Sequence, residues 1–126
     1  MNSNAYSPLV LAYIGDACYN MMVKEFVITR EVKMNAIQRH VNRYVSAVKQ
    51  AEFMDHLLKN DVLTREETEI YKRGRNSKSH KAPKSADPVT YHVSTGFEAL
   101  WGYWYLEGNR TRMEQIWDII RTMEEE

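Results

Sequence analysis

Ser7-Pro-Leu-Val-Leu-Ala-Tyr-Ile-Gly-Asp-Ala-Cys-Tyr-Asn20 decides the fold. A capping serine followed by proline at the first helical position starts a helix, because proline's missing N–H has no partner there anyway. The stretch stays apolar on most of its sides to about Val27, which predicts a central, buried helix. Asp16 is its one charge for several residues in either direction. Downstream, the helical period recurs. One amphipathic stretch spans roughly Asn35 to Ala47 through Ile37, Val41 and Tyr44, and another roughly Ser46 to Lys59 through Phe53, Met54 and Leu57. Thr64-Arg-Glu-Glu67 is a capping box opening a helix to about Arg73. Gly74 through Pro88 reads as a basic, polar loop, and a long apolar helix follows from about Val89 to Leu106. Thr111-Arg-Met-Glu114 reads as a second capping box, with Met113, Ile116, Trp117, Ile120 and Met123 as the buried stripe of a last helix. No strict apolar/polar alternation and no Asn-Gly or Asp-Gly hairpin signal interrupts this pattern. The expectation is an all-α protein with residues 1–126 as one domain.

With 126 residues, 44% hydrophobic and 27% charged, the chain is long enough to bury a core without staples. Its lone cysteine, Cys18, excludes a disulfide framework, and the scattered His40, His56, His80 and His92 offer no zinc spacing. The first fifteen residues lack a basic region and the apolar run is broken by Asp16, so neither a signal peptide nor a membrane span is expected. A cytoplasmic protein follows.

The chemistry begins with Asp16 and with Glu98, which stands equally alone in Thr95-Gly-Phe-Glu-Ala-Leu-Trp101. Removing an ionised carboxylate from water costs several kcal/mol unless it is paired, hydrogen-bonded or bound to a metal. Basic side chains are scarce on both helices, so a divalent cation shared by the two acids answers the problem. Helical spacing puts Leu9, Ala12, Tyr13 and Asn20 on the face of Asp16, and Tyr91, Ser94, Thr95 and Trp101 on that of Glu98. If the faces meet, the oxygen-only set suits Mg²⁺ or Mn²⁺, which keep waters and complete their shell with phosphate. Gly15, Gly96 and Gly102 would permit close approach of helices. The aromatic run Trp101, Tyr103, Trp104 and Tyr105 is large for a surface; core packing explains part of it, and a homodimer interface is the economical answer for a helix that must bury more than one face.

Net charge is zero, but its distribution is not even. Arg73, Arg75, Asn76, Lys78, Lys81 and Lys84 lie in a segment without acids, suited to gripping phosphate and sugar oxygens. No aromatic residue lies between Lys72 and Lys84, which disfavours a single-strand stacking platform and favours a duplex read by shape and backbone.

Tyr13-Ile-Gly-Asp-Ala resembles the signature helix of the ribonuclease III catalytic domain, and Phe97-Glu-Ala-Leu-Trp-Gly with Tyr105-Leu its later acidic helix. Arg73-Gly-Arg-Asn, Ser94-Thr-Gly-Phe-Glu, Val45-Ser-Ala and Gln50-Ala51 are similar to Mini-ribonuclease III, the short bacterial branch without a double-stranded-RNA-binding domain. The resemblance implies a helical, homodimeric endoribonuclease that cleaves double-stranded RNA with Mg²⁺ (or Mn²⁺). It further implies a task in maturing precursor 23S ribosomal RNA, with ribosomal proteins as candidate partners. Asp16 and Glu98 match the metal-binding acids. Leu9, Ala12 and Thr95 stand where full-length enzymes carry further acids, and Asn20 replaces an expected Glu. That replacement favours the alternative, a non-catalytic RNA-binding or ribosome-assembly module of the same fold.

Overall fold

The computed structural model describes residues 5–77 and 81–125, which form six helices and, among the described residues, no strand. They are α1 (Pro8–Val27), α2 (Met34–Val45), α3 (Ala47–Lys59), α4 (Arg65–Arg75), α5 (Pro88–Leu106) and α6 (Arg110–Glu125). The all-α expectation holds. No helix among the described residues is long and apolar enough to cross a membrane.

Local chemistry sets most boundaries. Ser7 Oγ accepts from the Val10 amide at 3.3 Å and Pro8 follows it, opening α1 as read from the sequence. At Thr64 the capping box is complete, with the Thr64 amide donating to Glu67 Oε1 at 2.8 Å and the Glu67 amide to Thr64 Oγ1 at 3.1 Å. Ser46 ends α2 and caps α3 at once; its extended backbone (φ −64°, ψ 150°) turns the chain there, two residues before the expected end of α2.

Two expectations are corrected. Helix α4 does not stop at Arg73 but runs through Gly74 to Arg75. Gly74 is buried against α5, where an added Cβ would meet Ala99 Cβ at 2.9 Å, so packing carries the helix past a residue that reads as a breaker. The second capping box does not form as read. Asn109 lies at the head of α6, its Oδ1 accepting from the Arg112 amide at 3.2 Å, and the helix begins at Arg110, ahead of Thr111.

Helix α5 is the hub, packed against α1, α3, α4 and α6. Phe97, Leu100, Trp101 and Trp104 point into the core with Tyr19, Tyr44 and Phe53 around them. Core packing takes the larger part of the aromatic run: Trp101 and Trp104 are fully buried within the one chain, Tyr103 is half-buried with its hydroxyl on Glu66, and Tyr105 is exposed. The α1–α5 contact is a backbone seam. A Cβ on Gly15 would lie 1.6 Å from the Glu98 carbonyl oxygen, and one on Gly102 1.8 Å from that of Leu11. No side chain fits between the helices at either point, so both positions require glycine.

A polar knot ties α4, α5 and α6. Buried Glu67 accepts from Arg112 Nε (2.8 Å) and Nη2 (2.7 Å) and from Trp104 Nε1 (2.8 Å). Arg112 Nη2 also donates to the Val62 carbonyl at 2.8 Å, so the buried carboxylate is both paired and hydrogen-bonded.

Candidate active site

The seam at Gly15 puts the next residue, Asp16, over the α5 turn that carries Glu98. The two carboxylates meet in a cleft of about 470 Å³, floored by α1 and α5 and closed on one side by the α2–α3 junction. Leu9, Ala12 and Tyr13 line it from α1, Tyr91 and Ser94 from α5, Val45, Ala47 and Gln50 from the junction and α3. The pairing of faces expected from helical spacing is therefore present, with three exceptions. Trp101 turns into the core, Thr95, though buried, does not line the cleft, and neither does Asn20, which reaches the site only through its bond to Asp16.

The two acids differ in setting. Asp16 is exposed, which corrects the expectation that both are withdrawn from water; Glu98 is the partly buried member. Burial pushes the Glu98 carboxyl up to about 8, and the hydrogen bonding and charge of Asp16 push it the same way, against a smaller pull from Gln50. Glu98 therefore retains its proton through much of the neutral range, in contact with an acid beside it. A cation placed between them would take over the role of that proton. Among the described residues no third Asp, Glu, His or Cys joins the pair.

The neighbouring oxygens are arranged differently from expectation. The Ser94 and Thr95 hydroxyls both donate to the Tyr91 carbonyl, at 2.7 and 3.1 Å. Asn20 turns its amide nitrogen back, donating to the Asp16 carbonyl at 2.8 Å and to Asp16 Oδ1 at 3.0 Å. The residue that replaces an expected Glu thus orients the first acid. Gln50, which the sequence marks only through its place in a motif, belongs to the cleft. Its helical register was the available signal, since it falls on the buried face of α3 with Phe53, Met54 and Leu57.

None of the described residues of the basic segment lines the acidic cleft. Arg73 is exposed on the last turn of α4. Arg75 Nε donates to Asn76 Oδ1 at 3.0 Å while its guanidinium sits 5.4 Å from the centre of the Tyr71 ring. Lys81 and Lys84 are exposed in the loop between α4 and α5, and Lys78 lies outside the described residues.

Elsewhere on α1, Val10, Tyr13 and Met21 are exposed, Met21 in a cavity of about 500 Å³ shared with Ile14, Ala17 and Tyr105 and edged by Glu25 and Arg110. Cys18 lies half-buried in the same cavity, its thiol pushed up to about 11 chiefly by burial, so it is an inert packing residue.

Residues 9–109 match the model of the ribonuclease III domain. The Mini-ribonuclease 3 of Symbiobacterium thermophilum is 49% identical over 110 residues, covering 86% of this chain and 83% of its own. That of Streptococcus pneumoniae is 43% identical over 114 residues, covering 90% and 89%. A crystal structure of a Fusobacterium nucleatum protein superposes with a TM-score of 0.83 at 26% identity, covering 94% of each chain. Sequence and helical frame agree, and the chain belongs to the ribonuclease III domain family, in its Mini-ribonuclease 3 branch, as an endoribonuclease of that type.

Proposed function

We propose that the protein hydrolyses double-stranded RNA at the Asp16–Glu98 cleft with a divalent cation, Mg²⁺ or Mn²⁺, and that its substrate in the cytoplasm is precursor 23S ribosomal RNA. The observation that carries the reading is the pairing itself: two carboxylates from different helices held together in a cleft, the inner one pushed up by burial and by its acidic neighbour. The donor set fits a hard, hydrated ion, since two carboxylates leave most positions of an octahedral shell to water and phosphate. Bound there, the cation supplies an activated water and neutralises charge developing on phosphorus. The chain's own part is positional. Asn20 sets the direction of the Asp16 carboxylate, the glycine seam sets its distance from Glu98, and the cleft walls Leu9, Ala12 and Tyr13 limit solvent.

Arg73, Arg75, Asn76, Lys81 and Lys84, with Lys78, grip the duplex backbone away from the acids, as a rigid duplex longer than the cleft would require. Residues 1–126 act as one domain and as a homodimer, with the exposed apolar stripe Val10, Tyr13, Met21 of α1 buried against a second copy. The Asn20 replacement, which favoured a non-catalytic module, is read here as part of the site because its amide serves Asp16. Ribosomal proteins are candidate partners that would present the substrate.

The deciding experiment incubates the dimeric wild type and Asp16→Asn with a long RNA duplex and with precursor 23S RNA, with Mg²⁺ or with EDTA. Cuts that require the cation and fall at least 100-fold in the variant, with duplex binding retained, are the expected result. Cutting by Asp16→Asn at the wild-type rate would remove the acid pair from the chemistry. In the same system, Lys81→Ala with Lys84→Ala should weaken duplex binding and flatten its dependence on log salt by about one unit for each phosphate no longer neutralised. An unchanged slope would take this loop out of the RNA interface.

A further inference from the structure

Gln50 is 2% exposed, yet it lines the cleft that holds Asp16 and Glu98. Its amide nitrogen donates to the Val45 carbonyl at 3.1 Å. That carbonyl belongs to the last residue of α2, where the turn at Ser46 leaves carbonyl groups without helical partners. The bond also fixes the amide's orientation, because a carbonyl only accepts and the nitrogen must face it. The oxygen is what remains. Gln50 Oε1 is fully buried and has no hydrogen-bond donor among the described residues. The other buried polar side-chain atoms in that condition, His40 Nδ1, His92 Nδ1 and Trp101 Nε1, belong to residues that do not line this cleft.

Capping α2, together with the hydrogen bonding by which Gln50 pulls the Glu98 carboxyl down, accounts for the nitrogen and leaves the oxygen unexplained. A buried acceptor without a donor costs about 1–3 kcal/mol, and an apolar residue of the same length would avoid that cost. The cleft itself indicates what the donor is. Two carboxylates would leave a bound divalent cation with several water ligands, whose protons need acceptors on the cleft wall. The nearby hydroxyls of Ser94 and Thr95 already donate to Tyr91.

Resting on the cation site of the proposed function, we propose that Gln50 is a positioning residue of that site: its Oε1 accepts a hydrogen bond from the hydration shell of the cation held by Asp16 and Glu98, while its amide nitrogen is anchored on the α2 terminus. One side chain thereby ties the α2–α3 junction to the acid pair of α1 and α5.

The test measures Mn²⁺ binding to the RNA-free protein by electron paramagnetic resonance, in wild type, Gln50→Met, Gln50→Glu and Asp16→Asn, alongside metal-free melting. Gln50→Met keeps the length and discards the amide. Its Mn²⁺ dissociation constant should rise about tenfold or more, as expected when a group that orients a metal's ligands is removed, without a matching fall in melting temperature. Gln50→Glu keeps an oxygen towards the cleft but loses the anchor on the Val45 carbonyl, so it should bind Mn²⁺ more tightly than Gln50→Met does. In cleavage assays Gln50→Met should need more Mg²⁺ for half-maximal rate and recover at excess Mg²⁺, with the KM for duplex unchanged. Wild-type Mn²⁺ affinity in Gln50→Met would overturn the proposal. So would losses in both Gln50 variants that simply track a lowered melting temperature, which is what a helix cap alone predicts. If Asp16→Asn binds Mn²⁺ as wild type does, the cation site itself is misplaced, a failure separate from that of Gln50.

Discussion

Gly15→Ala is expected to cost about 4 kcal/mol or more, enough to lower the melting temperature by roughly 15 °C. The new Cβ would lie 1.6 Å from the Glu98 carbonyl oxygen and 2.7 Å from the Gly102 nitrogen, both backbone atoms that no rotamer change can move aside. The two helices must part, and α1 against α5 is the most extensive packing in the fold. Since total stability of a domain is about 5–15 kcal/mol, a change of this size approaches unfolding. Whatever fraction still folds would hold Asp16 and Glu98 further apart and bind Mn²⁺ less tightly. Thermal melting reads the first effect; a midpoint within two or three degrees of wild type would show that the seam is not as tight as described.

The second large effect is expected at Glu67. Glu67→Gln removes the charge that faces a largely buried guanidinium, Arg112 being 19% exposed in this pair and Glu67 7%. Breaking one side of a buried ion pair costs about 3–5 kcal/mol, whereas Glu67→Leu together with Arg112→Leu should cost far less than the two single changes summed. The effect carries a pH signature. Burial raises the Glu67 carboxyl, but Arg112, the Thr64 amide and Trp104 together outweigh it and hold it below the usual carboxylate range. A folded-state value below the unfolded one means the contribution is complete above about pH 4.3, the unfolded value, and is lost as pH falls through the folded one. Urea midpoints of wild type and Glu67→Gln should therefore differ most near neutrality and converge in acid. A gap that stays constant down to about pH 3 would assign the effect to shape rather than charge.

How much of this was legible beforehand divides along physical lines. Helix starts that rest on local chemistry, Ser7-Pro8 and the Thr64–Glu67 box, could be read from a few residues because the bonds that make them are made by those residues. The end of α4 could not, since Gly74 stays helical only by packing under Ala99 and Gly96, residues far along the chain. Thr111-Arg-Met-Glu114 has the letters of a cap, but Asn109 gets there first, and motif spacing does not rank competing caps. At the site, isolation in an apolar context singled out Asp16 and Glu98, and their faces meet. The difference in their exposure was hidden, because it depends on which side of the α1–α5 packing opens to solvent. Gln50 was noticeable only for its neighbours in a motif; what marks it is an unpaired oxygen, a three-dimensional property.

At Gly15 and Gly102 main chain rests on main chain, so the gap between the two carboxylates is gauged by parts that every amino acid shares. Substitutions elsewhere in the core can change the volume and shape of the packing without resetting that gap. A lineage carrying this frame can replace much of its interior over time and keep the same spacing at its working edge, provided two positions never acquire a side chain.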